Sequence, residues 1–301
     1  MTQSQTQSPL IVDRGLLRAR SRRARALGPS TFLVDRAGED MAERLASVLR
    51  SFPTALDLGT PTDALRRLLA ASRQVGTIVA ANALADDRDG LAVAADEEAL
   101  PFADGSLDLV VSAMALHFVN DLPGTLIQIR RALRPDGLFA AALLGGETLT
   151  ELRQAFAAAE VEMEAGISPR VLPFADLREL GALLQRAGFA LPVTDVDRVV
   201  VRYASPLALM HDLRLMGAAN PLIERRRAPL RRATLARMLD VYAERFADPD
   251  GCIRATFEIV HLSGWAPHAS QQQPLAPGSA RTRLADALGT QERSAGEKAG
   301  R

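Results

Sequence analysis

The first periodic stretch of the chain runs from Asp13 to Leu27, where Leu16, Leu17 and Leu27 share one side of a helix and six arginines cover the rest. A second helix is expected from Phe32 to Leu49, because Leu33, Val34, Met41, Leu45, Val48 and Leu49 recur at helical spacing. Then the texture changes. Short apolar runs at Ala55–Leu58, Thr77–Ala80, Leu91–Ala94, Leu107–Ser112 and Leu138–Leu143 read as strands, with helical patterns at Thr62–Ala71 and Gly124–Ala132 between them. Leu107–Ser112 carries no charge after Asp108, which suits a strand buried on both faces. Arg134-Pro135-Asp136-Gly137 reads as a turn, with Pro and Gly supplying the dihedrals. Further on, Leu149–Met163 and Asp176–Ala187 are helical, the latter closed by Gly188. Thr194–Tyr203 and Ile253–His261 read as a hairpin-like pair of edge strands, separated by an insertion of two helices, Pro206–Met216 and Leu230–Phe246. Strands alternating with helices predict an α/β, doubly wound, mostly parallel sheet of seven strands. Such sheets bind ligands at the carboxyl ends of the strands, where strand order reverses.

The organisation that follows is a disordered 1–10, N-terminal helices over 11–50, an α/β domain over 51–266 with a helical insertion at about 205–248, and a disordered tail rich in Gln, Pro, Ser and Gly over 267–301.

Composition narrows this little further. Hydrophobic residues make up 48% of the 301 positions, enough for a large core, and the formal net charge of zero gives no global field toward nucleic acid or membrane. Cys252 is the only cysteine, so neither a disulfide framework nor a Cys-rich metal or iron–sulfur site can form within the chain. No run is long and apolar enough to span a bilayer, and the start lacks a secretory core. An Arg-rich, Ser-containing start can also belong to a mitochondrial transit peptide; Asp13 and the one-sided basic helix favour a solvated surface helix in a bacterial cytoplasmic protein. His117, His211, His261 and His268 show no zinc-type spacing, and a His-x-Asp/Glu pair is missing.

Three segments sit where such a sheet keeps its ligand. Leu56-Asp57-Leu58-Gly59-Thr60-Pro61-Thr62-Asp63 is a strand ending in an acid, a glycine and a helix start, the opening of a nucleotide-binding unit. Pro61 removes a donor there and Asp63 opposes a phosphate, which argues against dinucleotides. The plainer alternative is that Thr60 or Thr62 caps the next helix. After the third strand, Asp96-Glu97-Glu98 precedes Leu100-Pro101-Phe102; Asp96 could accept from an adenine amino group with Leu100 over the ring, or the segment is a solvated loop. Beyond the fourth strand, which ends at Ser112, lie His117, Asn120 and Asp121. His117 and Asn120 are the catalytic candidates, His117 as base or orienting group, against the alternative of a satisfied structural histidine.

Taken together, LDLG, ADEEALPFADGSLDLVVSAMALHFVNDLPGTLIQIRRALRPDG and GGETLTELR resemble the S-adenosylmethionine (SAM) methyltransferase superfamily, within it the respiratory complex I assembly-factor branch known for hydroxylating an arginine of an iron–sulfur subunit. IVDRGLLRARSRRARA, Ser168-Pro169, Pro173-Phe174, LLQRAGF and GWAPHASQ extend the likeness over nearly 11–270. The resemblance implies a Rossmann-like SAM methyltransferase fold, SAM as cofactor, and a complex I iron–sulfur subunit as protein partner. It places Asp57, Gly59, Asn82, Asp96, Glu97, Leu100 and Ser112 around the cofactor, and His117 beside the reaction zone. Two further glycines of the cofactor loop are replaced by Pro61 and Asp63, and the acid expected at the ribose is Asn82, or Ala81 in a slipped register. These departures imply weakened SAM binding. Three functions follow: an enzyme modifying a protein arginine during complex I assembly, for which an oxidant must come from outside the chain; a SAM-dependent O-methyltransferase acting on a malonyl carrier protein; or an assembly chaperone that kept the fold and lost the cofactor.

Overall fold

The computed structural model describes residues 10–84, 90–164, 166–272, 279 and 282–291. The expected disorder of 1–10 falls almost wholly outside the described residues. Two helices open the chain, α1 (Arg14–Leu27) and α2 (Phe32–Ala46). Asp13 caps α1 by accepting from the Leu16 N–H at 2.9 Å. α2 stops three residues before the expected Leu49. Ser47 closes it, and Leu49 is 98% exposed rather than part of the apolar stripe.

The sheet follows as β1 (Phe52–Leu58), α3 (Ala64–Ala71), β2 (Val75–Asn82), β3 (Ala92–Ala94) and β4 (Leu107–Ala113), then α4 (Leu122–Ala132) and β5 (Leu133–Leu144). Then come α5 (Thr150–Met163), α6 (Leu177–Arg186), β6 (Ala190–Tyr203), α7 (Pro206–Leu215), α8 (Arg232–Phe246) and β7 (Ile253–Trp265). Strand order is β3-β2-β1-β4-β5-β7-β6, parallel except for β7, which runs antiparallel to both its neighbours. The late pair is thus a long antiparallel ladder, and β7, not β6, docks on β5. The expected turn at 134–137 is absorbed into β5 as an interruption: the register against β4 shifts after Leu133, and Asp136 takes φ +66°.

Helices cover both faces. Leu109, Val111 and Ala113 of β4 join a cluster with α2, α3, α5, α7 and α8, while Val110 joins one with α4 and α6. A strand buried on both sides can be continuously apolar, as Leu109–Val111 is. The order reverses between β1 and β4, so their carboxyl ends frame the crevice. The stretch from His268 onward forms a separate unit, and within it α9 (Leu284–Leu288) is helical where a disordered tail was expected. Among the described residues, no helix is long and apolar enough to cross a membrane.

Candidate cofactor crevice

At the end of β1 the chain turns through Gly59 at φ +74°. A Cβ there would stand 2.8 Å from the Ala115 Cβ and 2.9 Å from Glu97 Oε1, so only glycine fits. The same distances place the β1 loop directly against the acidic segment after β3, as the sequence required. Asn82 ends β2 on the same side; it is nearly buried, and its Oδ1 accepts from the Leu84 N–H at 2.8 Å.

Three of the expected cofactor positions are turned into the protein instead. Asp57 is 1% exposed and accepts from Arg66 Nη1 at 2.8 Å and from the Thr60 hydroxyl. A carboxylate so deep needs a cation, and α3 supplies one from its first turn. Ser112 is buried and donates to the Leu58 carbonyl at 2.7 Å, tying β4 to β1. Leu100 also turns away from the crevice, packing with Phe102 against the cluster under α4 and α6. Thr60 does not cap α3; its hydroxyl accepts from the Ala113 N–H at 3.0 Å. Asp63 points outward, 3.4 Å from Arg67.

Asp96 and Glu97 meet α1. Arg14 Nη2 donates to Asp96 Oδ1 at 2.8 Å and to Glu97 Oε2, its Nη1 reaches the Phe118 carbonyl at 3.3 Å, and Arg18 pairs with the other oxygen of Asp96. Although burial opposes it, the Glu98 N–H and the two guanidinia hold the Asp96 carboxyl below its ordinary value. Arg14, Arg18, Arg20 and Arg25 therefore leave the solvated face expected of them, while Arg22 and Arg23 stay exposed on it. Arg20 reaches the Ala219 carbonyl at 2.6 Å and Arg25 the Leu84 carbonyl at 3.0 Å. The i, i+4 spacing of Arg14 and Arg18, facing an acidic pair across the crevice, was the signal available.

Asn120, expected to be catalytic, holds the approach to α1. Its Oδ1 accepts from the N–H groups of Ile11 and Val12, both at 2.8 Å, and its Nδ2 donates to the Val12 carbonyl at 3.2 Å. From the other side, Ile223 N–H bonds the Ile11 carbonyl at 2.9 Å and Asp13 N–H the Pro221 carbonyl at 2.8 Å. The segment before α1 is thus a strap between the end of β4 and the helical insertion.

His117 lies in a short 3-10 turn at Leu116–Phe118, its ring 4.1 Å from Phe118 and 5.7 Å from Phe174. Desolvation pushes its pKa down to about 3, so the imidazole is neutral, and its Nδ1 accepts from the Leu144 N–H at 3.4 Å. Those contacts fit the structural alternative.

Between α1, the β1 loop and Asn82 lies a cavity of about 110 Å³, lined by Gly59, Pro61, Glu97 and Phe118 among others. Ligand pockets usually measure roughly 300–1,000 Å³; here Arg14, Leu17, Arg18 and Arg25 of α1 wall one side of the space. A second, apolar cavity of about 230 Å³ lies under the insertion, and Phe118 and Met216 line both. Among the described residues, no group of three metal-ligating side chains occurs.

An α/β sheet of this order, with a glycine turn after β1 facing an acid after β3, defines a methyltransferase-like protein. Residues 56–141 match the methyltransferase domain family, and a methyltransferase-class protein of Bacillus halodurans shares the fold, with a TM-score of 0.52 at 14% identity over 75% of this chain and 97% of its own. The chain belongs to the arginine-hydroxylase NDUFAF5 family: it is 38% identical over 293 residues to the mitochondrial arginine-hydroxylase NDUFAF5 of Danio rerio, covering 94% of this chain and 91% of that one. It is also 41% identical to the malonyl-[acyl-carrier protein] O-methyltransferase of Laribacter hongkongensis, over 62% of this chain and 60% of that one. The expectation of a bacterial cytoplasmic location is overturned, because the relative matched nearly end to end is a mitochondrial protein.

SAM is the group this domain class implies, and the residues fit it in part. Gly59, Asn82 and Glu97 line the cavity, the last two with polar groups, while Ala115 and Glu97 take the space that a Cβ on Gly59 would fill. With α1 seated, both Asp96 and Glu97 are occupied by guanidinia.

Proposed function

We propose that this protein modifies an arginine side chain of a protein partner during assembly of respiratory complex I, the partner being an iron–sulfur subunit, with SAM held in the crevice at the ends of β1 and β4. The observation that carries the reading is the extent of the likeness to an arginine-hydroxylase. It covers 94% of the chain, and so includes α1 and the α7–α8 insertion, which lie outside the matched methyltransferase domain. SAM, when bound, supplies an electrophilic methyl group and an adenosine moiety. The chain's own part is to position. Gly59 lets Ala115 and Glu97 close against the β1 turn, Asn82 offers a carboxamide to a hydroxyl, and Phe118 and Met216 line both the polar crevice and the apolar cavity beneath the insertion. Neutral His117 orients by its ring contacts and does not exchange protons near neutral pH.

Mass spectrometry of the complex I iron–sulfur subunits, from cells with and without this protein, tests the reading. An arginine oxidised only when the protein is present supports it; identical arginine masses in both refute it. The likeness to a carrier-protein methyltransferase supports a second reading, O-methylation of a malonyl carrier protein, tested by methyl transfer from SAM to that substrate. Calorimetry with SAM adds a binding measure, and restoring glycine at Pro61 and Asp63 is expected to raise the affinity.

A further inference from the structure

Arg14 is seated as a ligand would be. One guanidinium nitrogen is shared by two carboxylates from another part of the chain, Asp96 and Glu97, and a second reaches a backbone carbonyl, that of Phe118. The Arg14 and Glu97 side chains are only 15% and 12% exposed. Glu97 Oε1, which the Arg14 contact does not use, lies against the β1 turn, so the clamp sits inside the cofactor crevice and not on the outer surface. Two carboxylates that accept from one nitrogen of a planar cation, and a carbonyl that accepts from another, match the fork of an arginine; a lysine has one nitrogen and cannot reach both sides. The helix carrying Arg14 buries only Ala24 outright; Leu17 packs half-buried against Val12, Leu172 and Leu222, and Arg14, Arg18, Arg20 and Arg25 attach it through polar contacts. The polar contacts can exchange for water or for a ligand that offers the same donors.

We propose that Asp96, Glu97 and the Phe118 carbonyl form a guanidinium-binding subsite, filled by Arg14 in the resting protein, which takes the arginine side chain of the substrate once α1 moves aside. This rests on the arginine-modifying function above and names the groups that would recognise the target.

The test is calorimetry on the full chain with N-acetyl-arginine methylamide, its lysine counterpart and SAM as separate ligands. Arg14→Gln keeps the helix and removes the resident cation. It is expected to bind the arginine ligand at least tenfold more tightly than the wild type, with no gain for the lysine ligand. Glu97→Gln in the Arg14→Gln background is expected to abolish that gain. A gain for SAM alone would show α1 to be a cofactor lid and overturn the proposal, as would equal gains for arginine and lysine, or none for either. If Arg14→Gln does not fold, hydrogen exchange on the wild type decides. Saturating arginine ligand is expected to speed exchange along 14–27, and unchanged exchange overturns the proposal. None of these readouts depends on turnover. A failed search for the modified arginine in cells would therefore refute the function and leave the subsite measured on its own terms.

Discussion

The two rims of the crevice use the same kinds of residue in opposite ways. On the β1 side, Asp57 and Ser112 are buried and bonded to neighbours in the same sheet or in the helix that follows it. On the β3–β4 side, Asp96, Glu97 and Asn120 are partly exposed and hold a segment about 80–110 residues away in sequence. The inner rim is part of the core and cannot be withdrawn without loss of the fold. The outer rim is a closure, because its part-buried ion pairs and amide contacts hold the N-terminal segment from outside the sheet, and such a segment can open separately from the core. The difference explains how one crevice can be both rigidly built and nearly filled by its own N-terminal helix.

The largest expected effect tests the inner rim. Arg66→Met removes the guanidinium 2.8 Å from a carboxylate that is 1% exposed. Removing one partner of a buried pair typically costs roughly 3–5 kcal/mol. Urea unfolding should show that loss, with the slope unchanged. A loss below about 1 kcal/mol would mean that Asp57 is not anchored as the geometry indicates and would bring it back as a ligand for the cofactor.

Near neutral pH a smaller effect comes from His117, which packs against Phe118 and Phe174. Its folded pKa of about 3 lies below the ordinary histidine value of 6.5, so the unfolded chain takes up the proton first as pH falls. Stability from this group is complete above pH 6.5 and declines below it by about 1.4 kcal/mol per pH unit until about pH 3. His117→Phe keeps the packing against Phe118 and Phe174 and should flatten the acid limb of stability against pH by that slope. Parallel curves for wild type and variant would show that the ring is hydrated and available for proton transfer.

What was legible in the sequence divides along the same line. The doubly wound sheet could be read because Leu109–Val111 and its neighbouring strands carry uninterrupted apolar runs between turn residues, a pattern local to each element. Gly59 beside the acidic segment could also be read, since the topology alone brings the ends of β1 and the β3–β4 loop together. Spacing does not report which way a polar side chain turns. Asp57, Ser112 and Leu100 sit where ligand contacts belong and face inward because Arg66, the Leu58 carbonyl and the core under α4 compete for them. The role of α1 was hidden for the opposite reason. Its six arginines are the signature of a solvated helix, and only the long-range placement of Asp96 and Glu97 turns Arg14 inward.

The smallest expected effect sharpens the contrast most. Asn120→Ala removes three hydrogen bonds to the backbone of Ile11 and Val12. Ile11 is 45% exposed, so water replaces much of what is lost, and the other side of the strap, at Pro221 and Ile223, remains. Global stability should fall by about 1 kcal/mol or less. The local consequence is larger in kind: amides at 11–13 should exchange with solvent severalfold faster, while those of β1 and β4 keep their protection. If the variant instead loses stability on the scale expected for Arg66→Met, the strap belongs to the cooperative core and α1 cannot leave the crevice without unfolding the domain. If exchange at 11–13 speeds up with the sheet unaffected, the outer rim is a separable closure, as its partly exposed and sequence-distant contacts imply.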